Sequence, residues 1–149
     1  MGPPLPYGQA GRDSALFAQQ EVPQSSRGYG LVMSHLFHSN DIDISPEQLR
    51  ELTQSGEIQL VDVREPYEWE AGRIAGARHI ELERLASKAD TLDKDKPVYF
   101  YCRLGARSGM AAQAFRGAGF QAHSMDGGLT AWVERGFPLE PEDGRVEDH

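Results

Sequence analysis

Cysteine is nearly absent: Cys102 is the only one in 149 residues. A lone thiol excludes an internal disulfide and a cysteine-built zinc site, and it agrees with a reducing compartment, so a cytoplasmic location is expected. Basic residues are also short. Fifteen Lys and Arg stand against 23 Asp and Glu, a net charge of −8, which argues against nucleic acid as a partner because phosphate binding needs clustered cations. There is no run of about 18 apolar residues, so no membrane-spanning helix and no membrane partner are expected. Histidine offers one close pair, His35 and His38. With no third ligand nearby it reads as a solvated pair, and neither a metal nor a cofactor is expected.

What remains is the composition of a globular domain, 39% hydrophobic and 26% charged, with length enough for one real core. Residues 1–40 differ from the rest. They are rich in Pro, Gly, Gln and Ser and read as a flexible N-terminal extension. Leu31-Val32-Met33 and Leu36-Phe37 are too short and interrupted for a signal-peptide core, and Met33 is a candidate native start. Residues 140–149 carry five carboxylates against Arg145 and read as an acidic disordered tail.

Between these ends, residues 41–139 alternate strand and helix signals. Ile42-Asp43-Ile44 reads as a short edge strand. Ser45-Pro46-Glu47-Gln48 reads as a capped helix start with Leu49 and Leu52 facing inward. Ile58 to Val63 is apolar enough for a central strand covered on both faces. Pro66 to Gly72 reads as a short helical turn, His79-Ile80 as a brief strand, and Glu81 to Ala89 as a helix presenting Leu82 and Leu85. Trp69 and His79 read as structural. Pro97 to Tyr101 is a β-branched and aromatic run, Phe120 to Met125 a last strand, and Leu129 to Arg135 a final helix after a glycine turn at Asp126-Gly127-Gly128. Strands alternating with helices imply an α/β fold, a mostly parallel five-stranded sheet with helices on both faces.

Cys102-Arg103-Leu104-Gly105-Ala106-Arg107-Ser108 joins the aromatic strand to an Ala-rich helix running to Gly117. At such a junction the free N–H groups of a helix start favour an anion or a thiolate, and Arg103 and Arg107 add two full charges. Cys102 therefore reads as a nucleophile in a small electropositive cup that takes small anions. Asp62, Arg64 and Glu65 stand at or past the carboxyl end of a strand, where ligand crevices form in open α/β sheets. They read as an ion-pair network supporting the following loop.

The heptad resembles the active-site loop of the rhodanese family of single-domain sulfurtransferases. The resemblance extends through Leu60-Val61-Asp62-Val63-Arg64-Glu65, Glu68-Trp69-Glu70-Ala71-Gly72-Arg73-Ile74-Ala75-Gly76-Ala77, and Asp126-Gly127-Gly128-Leu129-Thr130-Ala131-Trp132. It implies a persulfide carried on Cys102, with Arg103, Leu104, Gly105, Ala106, Arg107 and Ser108 around the substrate. It also implies loop support from Asp62 and Arg64. Thiosulfate, a polysulfide or a low-molecular-weight persulfide would give the sulfur, and a thiol or cyanide would take it. The acceptor must come from outside, since no second cysteine exists to resolve the persulfide. Related phosphatases and arsenate reductases have one residue more between Cys and Arg than the four here, a wider bowl suited to a tetrahedral oxyanion. A reading of another class is a sulfur-relay or protein-interaction module serving a dedicated partner. An intact Cys102 weighs against the purely non-enzymatic form.

Overall fold

Along Val98–Tyr101 (β4) successive side chains enter opposite cores, as a strand covered on both faces requires. The structure, a computed structural model, describes residues 42–56 and 58–148. The extension over 1–40, the Met33 start and the His35–His38 pair lie outside the described residues. Val98 and Phe100 join one apolar cluster with Val61, Val63, Leu85, Ala111 and Phe115. Tyr99 and Tyr101 join the other with Ile44, Leu49, Leu60, Met125, Leu129 and Trp132.

The remaining strands are Asp43–Ile44 (β1), Gln59–Asp62 (β2), Arg78–His79 (β3) and Ala122–Met125 (β5). The sheet order is β1-β5-β4-β2-β3, with every adjacent pair parallel. Helices Pro46–Ser55 (α1) and Gly128–Glu134 (α5) contribute Leu49, Leu129 and Trp132 to one core. Leu85–Lys88 (α3) and Ala106–Gly117 (α4) contribute Leu85, Ala111, Ala112 and Phe115 to the other. Small residues on α4 let it lie close to the strands. No helix among the described residues is long and apolar enough to cross a membrane.

The capped start foreseen at Ser45 is present. Gln48 N–H donates to Ser45 Oγ at 3.0 Å and Ser45 N–H to Gln48 Oε1 at 2.9 Å, satisfying two donors at the end of α1. Two expectations need correction. The helix read over Glu81 to Ala89 is broken into a 3₁₀ turn at Leu82–Arg84, four residues of α3, and a second 3₁₀ turn at Ala89–Thr91. Ser87 and Thr91 hydroxyls bond back to the Arg84 and Lys88 carbonyls at 2.9 and 2.6 Å, competing with the helical ladder. The acidic tail, expected to be disordered, is tied down from 140 to 148. Glu140 and Arg73 exchange both backbone hydrogen bonds, at 2.7 and 2.9 Å, and Arg145 N–H donates to the Ala71 carbonyl at 2.8 Å. Val146 packs against the second core. Side-chain composition does not register backbone pairing of this kind.

Candidate active site

The loop between β4 and α4 closes around the sulfur of Cys102. Gly105 N–H points at Sγ from 3.1 Å and Ser108 N–H from 3.4 Å, with the Ser108 hydroxyl 3.5 Å away. Gly105 reaches this geometry with φ of 113°, open to glycine at little cost. These donors are unclaimed by the first turn of α4, so the helix start serves the sulfur. A nucleophile reachable in a small electropositive cup was expected, and Cys102 is only 1% accessible. It lies under the loop because β4 carries it into the first core.

The loop is held from beneath by α5. Leu129 N–H donates to the Cys102 carbonyl at 2.8 Å and Thr130 N–H to the Arg103 carbonyl at 3.1 Å. Gly128, at φ of 65°, allows this approach, since a Cβ there would sit 2.3 Å from the Arg103 oxygen. The glycine turn anticipated at 126–128 thus anchors the loop. Behind the sulfur, the buried hydroxyls of Ser108 and Ser124 lie 2.7 Å apart, and Ser108 also reaches the Gly105 carbonyl at 3.2 Å.

The two loop arginines have different surroundings. Arg107 is gripped by the buried Glu68, through Nη1 to Oε2 at 2.9 Å and Nη2 to Oε1 at 3.1 Å. Glu68 Oε2 also accepts the Glu65 N–H at 3.0 Å, at the start of helix Pro66–Ala71 (α2). Burial alone would raise the Glu68 carboxyl, but the Arg107 guanidinium and the Glu65 N–H outweigh it and hold it below its ordinary value. Glu68's hydrogen bonds in turn raise Arg107 above its ordinary value against the opposing effect of desolvation, and the nearby charges of Glu68, Cys102 and Asp62 add to this. The second positive charge of the expected cup is therefore compensated. Glu68 was missed from the sequence, where an acid beside Trp69 and Glu70 reads as one of several surface carboxylates. Its place three residues after Glu65, at the start of a helix, was the available signal. Arg103, by contrast, meets only the Asp148 carboxylate, at 3.8 Å, and its buried Nε has no hydrogen-bond partner among the described residues.

Asp62 and Arg64 pair with each other. The pair is fully buried at 2.6 Å, and Arg64 Nη2 also donates to the Gly72 carbonyl at 2.7 Å. Desolvation opposes the Arg64 charge, but the Asp62 carboxylate more than restores it and raises the guanidinium. Tyr101, buried beside Asp62, has its hydroxyl pushed well above its ordinary value, chiefly by burial, and that hydroxyl accepts the Ile74 N–H at 3.1 Å. Glu65 contributes through its backbone at the α2 start. His79 hydrogen-bonds the Arg64 carbonyl at 2.7 Å and stacks on Trp69, with ring centres 5.0 Å apart, which gives both rings a structural role.

A model of the rhodanese-like domain matches residues 45–135. The chain belongs to the rhodanese-like family. It is 36% identical over 105 residues to the thiosulfate sulfurtransferase GlpE of Pseudomonas aeruginosa, covering 70% of this chain and 94% of GlpE. It is 47% identical over 75 residues to the uncharacterized protein YqhL of Bacillus subtilis, covering 50% of this chain and 60% of that protein's length. A crystal structure of a rhodanese-related protein from Thermoplasma volcanium matches with a TM-score of 0.61 and 31% identity, over 65% of this chain and 95% of its own. Residues 140–148 lie beyond the stretch that the rhodanese-like model matches.

Proposed function

We propose that this rhodanese-like protein is a sulfurtransferase that carries a sulfane sulfur on Cys102. The observation that carries the reading is the pair of backbone N–H groups, from Gly105 and Ser108, converging on Sγ at 3.1 and 3.4 Å. Donors fixed around a sulfur stabilise its anion and need no rearrangement as charge moves outward to a second sulfur. Family membership and the likeness to GlpE support the same class of reaction.

In the first half-reaction the Cys102 thiolate attacks the outer sulfur of thiosulfate. An S–S bond forms to Cys102, the bond to the sulfonate sulfur breaks, and sulfite departs with that electron pair. The total charge of −3 is conserved. Arg103 attracts the dianion, while Arg107, fixed by Glu68, keeps the loop shaped around the nascent persulfide. In the second half-reaction an external nucleophile attacks the terminal sulfur. Cyanide leaves as thiocyanate, or a thiolate leaves as a persulfide, and the Cys102 thiolate is regenerated. This is a ping-pong cycle with a covalent intermediate. Burial of Cys102 restricts entry to small donors and shields the persulfide from solvent. Polysulfides and low-molecular-weight persulfides suit the same loop, whose exposed residues are the apolar Leu104 and Ala106.

Thiosulfate exposure followed by intact-mass measurement should add one sulfur, about 32 Da, removable by dithiothreitol. Cyanide should then yield thiocyanate. Cys102→Ser should lose both signals. A serine variant that still forms thiocyanate, or a wild-type protein that takes up no sulfur from thiosulfate or a polysulfide, refutes the assignment.

A further inference from the structure

After α5 the chain returns across α2 as a strap. Its fit is backbone against backbone: a Cβ on Gly72 would lie 2.6 and 2.7 Å from the Arg145 oxygen and nitrogen, and Gly144 packs against the Gly72 Cα. The Glu140–Arg73 bridge fixes one end. At the other, the Tyr67 hydroxyl donates to the Asp148 backbone carbonyl at 3.1 Å, and the Asp148 carboxylate stands 3.8 Å from Arg103 Nη1. That carboxylate is 99% exposed, while the Arg103 side chain is 27% exposed. The strap therefore brings a negative charge to the one active-loop cation that Glu68 does not neutralise. A single long contact to a solvated carboxylate is one an incoming anion can displace.

We propose that Asp148 is a specificity-determining residue, whose carboxylate competes with anionic sulfur donors for Arg103 and disfavours dianions more than monoanions. The inference rests on the sulfurtransferase reading above. A fixed negative charge beside the entry repels a donor in proportion to the donor's own charge. If it weakens a monoanion by some factor, it weakens a dianion by about the square of that factor. The strap so selects by charge among donors that share the same outer sulfur.

Asp148→Asn removes the charge and keeps the backbone carbonyl that Tyr67 binds, so the strap stays anchored. The measurement is kcat/KM for thiosulfate, a dianion, divided by kcat/KM for methanethiosulfonate, a monoanion, at fixed low ionic strength with cyanide as acceptor. The ratio should rise about two- to five-fold, the range of an exposed ion pair, mainly through KM for thiosulfate. Asp148→Lys should raise it further, and added salt should narrow the differences among the three proteins. An unchanged ratio in both variants, or an equal change for both donors, overturns the proposal while leaving the sulfurtransferase reading intact. Absence of thiocyanate from either donor with the wild-type protein would overturn that reading, and this proposal with it.

Discussion

Glu68→Gln isolates the charge that holds Arg107. The carboxylate accepts three N–H bonds: two from Arg107, at 2.9 and 3.1 Å, and one from Glu65 at 3.0 Å. Glutamine keeps the volume but offers one carbonyl oxygen, and its NH₂ group would face a donor. At least one charge-assisted bond is lost, and a guanidinium only 18% exposed is left without its counter-charge. Breaking a buried pair from one side costs about 3–5 kcal/mol. For a domain of this size that corresponds to a fall in melting temperature of more than about 10 °C, at about 4–8 °C per kcal/mol.

The pH dependence of the loss has a definite sign. The folded-state Glu68 carboxyl lies below its ordinary value, so its stabilisation is complete above the unfolded carboxylate value of about 4.3. It is lost as pH falls through the folded value. Urea unfolding of wild type and Glu68→Gln at a series of pH values should show a constant gap from pH 7 to pH 5, closing as the medium becomes more acid. A gap under about 1 kcal/mol at pH 7, or one that persists undiminished at the acid end, would refute the account of a structural ion pair. A double-mutant cycle with Arg107→Gln should recover most of the loss as coupling between the two residues.

Two other substitutions test the loop's supports. Gly128→Ala puts a Cβ within 2.3 Å of the Arg103 carbonyl oxygen at a φ of 65°, so it should destabilise by more than about 2 kcal/mol, visible as a lower urea midpoint, and should slow sulfur loading. Ser124→Ala removes the hydroxyl 2.7 Å from Ser108. It should cost about 1 kcal/mol, read as a lower urea midpoint.

Much of the fold was legible because its causes are local. The Ser45 cap, the aromatic strand β4 and the glycine turn before α5 each follow from residue type and period, and each is where it was expected. The Asp62–Arg64 ion pair was legible too, since two charges beside an apolar strand end require partners. What escaped notice depended on distance along the chain. Glu68 meets Arg107 across 39 residues, and its spacing from Glu65 announces a helix cap but not that distant partner. The strap is ordered by backbone bonds to Ala71 and Arg73, to which its acidic side chains contribute little. The burial of Cys102 escaped for the opposite reason: the charges of Arg103 and Arg107 suggested an open cup, while the strand before them carried the sulfur inward.

Helix α2 is only six residues long, yet three separate parts of the molecule attach to it or to the glycine that ends it, one of them twice. Glu68 takes Arg107, Tyr67 takes the chain at Asp148, the Ala71 carbonyl takes Arg145, and the Gly72 carbonyl takes Arg64. So short a helix has little cooperativity of its own. Any fluctuation that frays it loosens the loop around Cys102, the contact of Asp148 with Arg103 and the buried ion pair in a single event, and these parts should open and reclose as one unit.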